Sequence, residues 1–373
     1  MIRIVLFGAG GYGALYVSAL LERCPSDVKW EGVVDPFFEN ASTKDEILKA
    51  GIPVYASGEE FYRERGAELA VICTPPFLHR EQSILALQNG SAVLCEKPVA
   101  PTVKEAEQML AAEHQYGKFV AIGYQWSYSK AIQALKKDIL AGKLGEPVSF
   151  KTFISWPRNF AYYQRGGGWG GRVEKNGITV LDSIASNACA HYLHNMLFLL
   201  GESMETSAEV TELAADCLRA YDIETFDTCT IRAKAKNVPL YFVASHATGI
   251  NRNPMFEYRF TGGTVVFDED ESGEIEAILS SGERISYGSP SKDNFGKLWI
   301  CTDALKNGNT PICTVKTAMA HTRLIEKLHQ TTKYRAFSAE RIKPNAQGDG
   351  LAVDGLYNEL ERAYKEEKLL SEL

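Results

Sequence analysis

The sequence predicts a two-domain protein, in which an α/β domain with a doubly wound parallel sheet precedes an α+β domain with a mostly antiparallel sheet. Over residues 1–123, short apolar runs alternate with segments of helical periodicity. Strands that alternate with helices form a parallel sheet, and strands that are apolar throughout are covered on both faces. Over residues 124–373, several strand-like segments follow one another without helices between them, which favours the α+β class.

Each predicted element of the first domain rests on its own apolar pattern. The predicted strands are Ile2–Phe7, Trp30–Val34, Leu69–Cys73, Ala92–Cys95 and Phe119–Ile122. The predicted helices are Gly13–Leu21, Lys44–Ala50, Leu78–Leu87 and Val103–His114.

The second domain is predicted to open with a helix, Ser129–Ala141, that ends at a glycine- and proline-containing turn. The strands predicted after it are Val148–Trp156, Thr228–Ala235, Leu240–Ser245, Tyr258–Phe260 and Thr264–Phe267. A long helix is expected at about Ser183–Leu200, and two more from about residue 314, at about Thr314–Gln330 and Leu351–Leu369.

Composition excludes several classes of protein. The 373 residues are 45% hydrophobic and 23% charged, as in folded globular proteins, and the net charge of −7 is not that of a nucleic-acid binder. No apolar run approaches the roughly 20 residues of a membrane helix, and the N-terminus lacks a signal-peptide pattern. We therefore expect a cytoplasmic protein without membrane or nucleic-acid partners. The eight scattered cysteines are expected to be reduced and mostly buried, with no zinc site.

A glycine-rich turn directly follows the first predicted strand and opens the first predicted helix. It matches G-x-G-x-x-G, and its candidate cofactor-binding residues are Gly8, Gly10, Gly11, Tyr12 and Gly13. Glycines permit a tight turn and a close approach to a pyrophosphate, which the helix N-terminus attracts. The alternative is a glycine-rich turn that binds nothing.

An acidic residue stands where a dinucleotide site needs one. Asp35 ends the second predicted strand, 22 residues after Gly13, close to the ~20 expected for a ribose-binding carboxylate. Such a carboxylate accepts hydrogen bonds from ribose hydroxyls and repels a 2′-phosphate. The next four residues contain no Lys or Arg, so the sequence favours NAD over NADP.

Three further motifs carry a family resemblance. Thr74-Pro75-Pro76 with His79 follows the predicted strand Leu69–Cys73, Glu96-Lys97-Pro98 follows the next one, Ala92–Cys95, and a helix bearing His191 ends in Leu199-Leu200-Gly201. Together with the glycine-rich turn, these motifs resemble the glucose–fructose oxidoreductase / inositol dehydrogenase / rhizopine-catabolism (Gfo/Idh/MocA) family. The resemblance implies a Rossmann domain joined to a domain with a large open sheet. It also implies NAD(P)-dependent oxidation or reduction of a sugar, cyclitol or related polyol, in a homodimer or homotetramer that pairs through the sheets.

The resemblance assigns roles to the residues of the first two motifs. Lys97 would polarise the reacting oxygen as hydride leaves, a role that its ammonium can perform at the carboxyl end of a parallel strand. The alternative for Lys97 is a surface lysine paired with Glu96. Glu96 would contact cofactor ribose or hold the turn, and Thr74, Pro75 and Pro76 would pass along the nicotinamide. His79 would contact the cofactor or merely pack against the next helix. Gln125 is a further candidate cofactor contact, and its neighbour Tyr124 a candidate wall of the substrate site.

His191 is the candidate general acid/base, because a neutral imidazole can accept the alcohol proton near pH 7. The alternative is a core histidine bonded to a carbonyl. Many relatives place Asp four residues earlier, where this chain has Asn187, on the same face of the predicted helix. Asp182 is expected to be the N-cap of that helix, although an unwound start would bring it inward. Both Asp182 and Asn187 are kept as candidate partners of His191.

His194 is a candidate substrate contact rather than a metal ligand, because no convincing third ligand lies near it. Residues 156–172 combine aromatic residues with three arginines and five glycines, and we interpret them as a substrate loop. Its candidate contacts are Tyr163, Arg165, Trp169 and Arg172. The alternative is an oligomer contact or a flexible surface loop.

Three functions are consistent with these residues. The leading hypothesis is an NAD-dependent dehydrogenase for a secondary alcohol of a sugar, cyclitol or sugar acid. The second is NAD-dependent glycoside cleavage through transient oxidation and elimination. The third is a non-catalytic regulator that binds NAD and a sugar, a hypothesis that Lys97 disfavours and the Asn187 departure keeps open.

Overall fold

The computed structural model describes all 373 residues, which divide into two compact units. The N-terminal unit comprises residues 1–128 and 293–319, and the C-terminal unit comprises residues 129–292 and 320–373. The sequence analysis divided the chain at residue 123 and kept residues 293–319 in the second domain. In the structure this segment belongs to the first unit, because Leu298, Cys301 and Ala304 are part of that unit's hydrophobic core.

The elements follow one another along the chain in three stretches. Residues 1–128 form β1 (Ile2–Phe7), α1 (Gly13–Arg23), β2 (Val28–Val34), α2 (Lys44–Lys49), β3 (Val54–Tyr55), α3 (Gly58–Glu64), β4 (Leu69–Ile72), α4 (His79–Gln88), β5 (Ala92–Cys95), α5 (Val103–Tyr116) and β6 (Val120–Ile122). Residues 129–292 form α6 (Lys130–Leu140), β7 (Pro147–Ser155), α7 (Phe160–Gly168), β8 (Glu174–Lys175), β9 (Ile178–Thr179), α8 (Ala190–Leu199), β10 (Val210–Arg219), β11 (Thr228–Ala235), β12 (Val238–Ser245), β13 (Arg252–Phe260), β14 (Gly263–Asp268), β15 (Ile275–Leu279) and β16 (Arg284–Gly288). The rest forms α9 (Gly296–Asn307), α10 (Val315–Thr331), β17 (Tyr334–Ala336), β18 (Ile342–Pro344), β19 (Leu351–Val353) and α11 (Leu356–Glu366).

The N-terminal unit is built on a six-stranded parallel sheet with the order β3-β2-β1-β4-β5-β6. This doubly wound order reverses between β1 and β4, which is where such sheets bind ligands beyond the carboxyl ends of their strands. The predicted parallel α/β domain is confirmed, and each predicted strand lies within two residues of an observed one. The sequence pattern did not predict β3, α3 and α9.

The C-terminal unit contains a nine-stranded sheet with the order β16-β15-β14-β13-β7-β12-β11-β10-β17. β7 runs parallel to β12 and β10 parallel to β17, whereas the other neighbours are antiparallel. The predicted α+β class with a mostly antiparallel sheet is therefore confirmed. The sequence pattern did not predict β10, β15, β16 and β17, in each of which fewer than half of the residues are buried.

The long helix expected from Ser183 begins at Ala190, so the predicted N-cap role of Asp182 is wrong. Side chains explain the difference, because the main-chain N–H of Ser183 donates to Ser186 Oγ (2.7 Å) and that of Ser186 donates to Ser183 Oγ (3.2 Å). Such local bonds compete with helix formation. Asn187 consequently lies in the turns before α8, and the prediction that it shares a helical face with His191 is also wrong.

The last helix is shorter than predicted because Leu351–Val353 pairs with β18 as a strand, and α11 begins only after Gly355. Leu356, Leu360 and Tyr364 of α11 pack against the sheet residues Phe153 and Val243. This apolar contact covers the middle of one sheet face. None of the helices is both long and apolar enough to traverse a lipid bilayer.

Truncating the centre of this contact should destabilise the protein. Leu360 is fully buried, so Leu360→Ala leaves a cavity and should lower the free energy of unfolding by about 2–5 kcal/mol. The control is Lys365→Ala on the exposed side of the same helix, where only an i,i+4 ion pair with Glu361 is lost. Urea unfolding followed by circular dichroism measures both. Equal stabilities of the two variants would contradict the packing role of α11.

Candidate functional site

The turn between β1 and α1 is tight enough to require glycine at two positions. Gly8 has a φ of +87°, and a Cβ on it would lie 2.9 Å from the carbonyl oxygen of Cys73. A Cβ on Gly13 would lie 2.1 Å from the carbonyl oxygen of Gly8. No side chain fits at such separations, so these two glycines hold the main chains of the turn, α1 and the end of β4 in contact.

The other side of the turn is open. A Cβ on Gly10 or Gly11 would meet no protein atom within 4 Å. The N-terminus of the 11-residue helix α1 follows directly, with Tyr12 at its N-cap. The N–H groups of Gly13 and Ala14 bond to the carbonyl oxygens of Gly10 and Gly11. The positive end of the helix dipole nevertheless lies beside an exposed main chain, an arrangement that fits a dinucleotide pyrophosphate.

Asp35 follows β2 and anchors the turn. Its carboxylate accepts hydrogen bonds from the main-chain N–H groups of Ala9 (2.9 Å) and Phe37 (2.8 Å). A carboxylate has about four acceptor positions, so capacity remains for two ribose hydroxyls. The predicted ribose-binding residue thus lies directly against the glycine-rich turn.

His79 joins the two motifs that follow β4 and β5. Its ring nitrogens contact the carbonyl oxygens of Thr74 (Nε2, 2.9 Å) and Pro98 (Nδ1, 2.8 Å), and the ring is fully buried. Burial lowers the pKa of His79. The Thr74 hydroxyl donates to Gln82 Oε1 (2.5 Å), and Pro76 starts a single helical turn. These contacts are those of the packing alternative for His79, which holds the Thr74–Pro76 bend against the Lys97-Pro98 turn.

Glu96 is buried at the carboxyl end of β5 and is paired with a lysine that the sequence analysis missed. Lys297, from α9, places its Nζ 2.5 Å from Glu96 Oε1, and Tyr16 donates to the same oxygen (2.7 Å). The main-chain N–H of Lys97 donates to Glu96 Oε2 (3.2 Å). Burial disfavours the charge on Glu96, but the attraction and hydrogen bond of Lys297 and the hydrogen bond from Tyr16 together outweigh it, so the pKa of the carboxyl lies below its usual value. Glu96 therefore holds the turn, one of its two predicted roles.

Aromatic rings surround the Lys297 ammonium. It lies 5.2 Å from the ring centre of Tyr12, 5.5 Å from that of Tyr16 and 5.8 Å from that of Phe295. The Tyr12 hydroxyl donates to Gln125 Oε1 (3.2 Å), so the candidate cofactor contacts Tyr12 and Gln125 support each other. The only sequence signal for Lys297 was a lysine directly before the apolar run 298–301 of a helix.

Asp182 organises a separate cluster in the C-terminal unit. Its carboxylate accepts hydrogen bonds from the Asn187 side-chain amide (2.9 Å) and the Gly171 main-chain N–H (2.7 Å), and Arg165 Nη2 lies 3.9 Å away. The structure thus pairs the two residues that the sequence analysis kept as alternatives. His191 lies in the first turn of α8 and is 9% exposed.

His194 is buried on α8, with its ring stacked on Phe198 at 5.9 Å and 6.5 Å from the ring of His321. Burial, with a smaller contribution from His321, holds the pKa of His194 well below its usual value. Within the N-terminal unit, Tyr124 is also completely buried. Both residues are buried, and the substrate contacts predicted for them stay predictions.

The predicted substrate loop, residues 156–172, contains the helix α7, which is distorted at Arg165, Gly166 and Gly167. The Arg165 guanidinium lies over the rings of Tyr162 (3.7 Å) and Trp169 (4.4 Å). The other predicted contacts of this loop have protein neighbours as well: Tyr163 lies between Tyr162 and Tyr221, and Arg172 forms an exposed ion pair with Glu224.

All eight cysteines are free thiols, and no group of three or more His, Cys, Asp or Glu side chains is arranged to hold a metal ion.

Residues 2–124 match the model of an oxidoreductase family with an NAD-binding Rossmann fold. Over these residues the chain is similar to the NAD-binding Rossmann domain of the Gfo/Idh/MocA oxidoreductases. The resemblance inferred from the motifs is thereby confirmed for the N-terminal part of the chain.

One protein similar to this chain is inositol 2-dehydrogenase of Rubrobacter xylanophilus, 30% identical over 159 residues, which cover 42% of this chain and 44% of the relative. The matched stretch spans less than half the length of such relatives. Two solved structures show the same fold over 88% of this chain. One is an oxidoreductase from Agrobacterium radiobacter with NAD⁺, L-tartaric acid and magnesium (TM-score 0.73, 17% identity, 96% of that chain). The other is the WlbA dehydrogenase of Chromobacterium violaceum with NADH and UDP-GlcNAcA (TM-score 0.74, 21% identity, 93% of that chain).

Two alanine substitutions in the glycine-rich turn should separate folding from binding. Gly13→Ala forces a methyl group against the Gly8 carbonyl and should destabilise the protein by about 1–3 kcal/mol. Gly10→Ala meets no protein atom, so it should keep the stability within about 0.5 kcal/mol while weakening NADH binding. Thermal unfolding and NADH fluorescence titration measure the two effects. Wild-type NADH affinity in Gly10→Ala would show that the pyrophosphate lies elsewhere.

Proposed function

We propose that the protein is an NAD-dependent oxidoreductase that transfers hydride between nicotinamide and a secondary alcohol of a sugar, cyclitol or sugar acid. The observation that carries the proposal is the position of Lys97 directly after β5, in the same unit and at the same edge of the parallel sheet as the open glycine-rich turn. A dinucleotide site and an ammonium suited to an alcohol oxygen therefore share one edge. The names of the relatives agree with this class of substrate.

NAD, rather than NADP, is the proposed cofactor. When bound, it supplies the nicotinamide carbon that accepts or donates the hydride. Asp35 supports the choice because its carboxylate, already fixed by two N–H groups, would accept ribose hydroxyls and repel a 2′-phosphate. Lys44, the nearest cation after it in the sequence, is bonded to Glu39.

Lys97 is the proposed electrophilic group. Its ammonium would donate a hydrogen bond to the reacting oxygen and stabilise the alkoxide character that develops as hydride leaves. Its main chain is held by Glu96 Oε2, and the proline that follows it is held through His79. A main chain fixed at two points limits the positions that the ammonium can take.

His191 is the proposed general acid/base. It lies in the first turn of α8, in the same unit as the Asp182–Asn187 pair. Asn187 cannot carry a negative charge or serve as a base, so Asp182 provides the carboxylate of this cluster. Arg165, close to that carboxylate and to Tyr162 and Trp169, supports a polar substrate with hydroxyl or carboxyl groups.

A homodimer or homotetramer is part of the proposal as well. The face of the nine-stranded sheet that carries α11 is covered at its centre by an apolar contact. Subunits that met on this face would therefore contact α11 itself or the outer strands. Size-exclusion chromatography with light scattering determines the number of copies.

Substituting Lys97 should remove turnover while leaving the cofactor bound. Lys97→Met keeps the length of the side chain and removes its charge, and it should lower kcat by about 10²–10³-fold, as the loss of one electrostatic donor does. The assay is NAD reduction over a panel of sugars, inositols and their acids, with NADH fluorescence for binding. Lys104→Met, at an exposed position of α5, is the control. Wild-type turnover in Lys97→Met would overturn the assigned role.

The choice of cofactor can be measured directly. The wild type should bind NADH at least about tenfold more tightly than NADPH, and Asp35→Ser should narrow that ratio by removing the negative charge. Calorimetric titration with each nucleotide gives the two dissociation constants. Tighter binding of NADPH by the wild type would contradict the role of Asp35.

A further inference from the structure

Glu96 and Lys97 are consecutive residues of opposite charge, and two lysines act on the one carboxylate. The exposed fractions of the Glu96 and Lys297 side chains are 7% and 0%. Lys297 forms the short ion pair, while Lys97 acts on the carboxyl more weakly. Which lysine pairs with Glu96 therefore decides how much of the Lys97 charge can act on a substrate.

Around the Lys297 ammonium, the only charged partner named by its contacts is Glu96. Besides Glu96, its ammonium donates to the Gly123 carbonyl oxygen at the end of β6 (3.3 Å) and lies among the rings of Tyr12, Tyr16 and Phe295. Gly123 lets Glu96 approach, since a Cβ there would lie 2.8 Å from Glu96 Oε1. Although burial opposes its charge, the attraction of Glu96 raises the pKa of Lys297 above its usual value. The site is built to keep one buried cation on one buried anion.

We propose that Lys297 is a positioning residue: it serves as the counter-ion of Glu96 and so keeps this carboxylate from pairing with the neighbouring Lys97. The inference rests on the proposed function of Lys97 as the group that polarises the substrate oxygen. Glu96 in turn holds the Lys97 main chain through Oε2. The Glu96 carboxylate thus serves the turn as a structural acceptor, while Lys297 rather than Lys97 forms its short ion pair.

This arrangement predicts a distinctive pattern in two variants. Lys297→Met removes the buried cation, so Glu96 should turn to Lys97, raise the pKa of its ammonium and withdraw it from substrate. The double variant Glu96→Gln with Lys297→Met removes both charges with little change of volume, and the uncharged side chain at position 96 then no longer attracts the Lys97 ammonium. A purely structural role of the ion pair would impair the double variant as much as the single one.

The experiment follows Lys97 by two readouts. The first is the rate at which acetic anhydride acetylates Lys97, measured by mass spectrometry relative to the exposed Lys104 in the same chain. Only the unprotonated amine reacts, so each unit by which the pKa of Lys97 rises slows labelling about tenfold. The second is kcat in the NAD-reduction assay described above, with NADH binding measured separately. Lys306→Met, which removes a partly exposed ion pair of the same helix, is the control.

We expect Lys297→Met to slow Lys97 labelling and turnover by about tenfold or more, and the double variant to regain most of both. Wild-type labelling in Lys297→Met, or a double variant as impaired as the single one, would overturn the inference. If Lys297→Met does not fold, the double variant decides: wild-type labelling and turnover support the inference, and their loss overturns it. Labelling needs no substrate, so a wild type without turnover would refute the proposed function and leave this test intact.

Discussion

The close approach of main chains at the carboxyl edge of the parallel sheet is the constraint on which the N-terminal unit depends. At Gly13 and Gly123, any side chain would collide with a carbonyl or a carboxylate. These contacts bring the turn after β1, the Glu96–Pro98 turn after β5 and the end of β6 within hydrogen-bonding distance of their partners. Because the turn is closed on that side and open at Gly10 and Gly11, an anion can approach its main chain there, beside the positive end of the α1 dipole.

The charged groups at this edge of the sheet are paired or hydrogen-bonded to the main chain. Glu96 and Lys297 are buried together, and a buried ion of either sign is tolerated only when it is paired and hydrogen-bonded. Their pairing lets the carboxylate fix a turn at the place where a catalytic lysine is proposed. Asp35 likewise serves the fold through two N–H groups while keeping acceptor capacity for a ribose. In both cases one carboxylate accepts main-chain hydrogen bonds and also lies beside a group of the proposed reaction: the Lys97 ammonium for Glu96 and the cofactor ribose for Asp35.

The sequence predicted what local patterns determine. Apolar runs located the strands around the glycine-rich turn, because strands covered on both faces leave a clear signal. The start predicted for α8 was wrong, because the hydroxyls of Ser183 and Ser186 accept hydrogen bonds from main-chain N–H groups that a helix would otherwise use. It missed Lys297 because 201 residues separate this lysine from Glu96, and only the tertiary fold brings them together. The burial of His194 and Tyr124 depends on such long-range packing as well. The sequence therefore predicted contacts between residues that are close in the chain better than contacts between residues that are far apart.

The central claim is that a nicotinamide dinucleotide lies along the turn after β1 with its reactive ring toward Lys97. A crystal structure of the wild-type protein grown with NADH tests this most directly. The account predicts pyrophosphate oxygens within hydrogen-bonding distance of the main-chain N–H groups near Gly10 and Gly11. It also predicts an adenosine ribose on Asp35 and the nicotinamide beside the Lys97 side chain. A dinucleotide bound elsewhere, or reversed so that its adenine faces Lys97, would contradict the account.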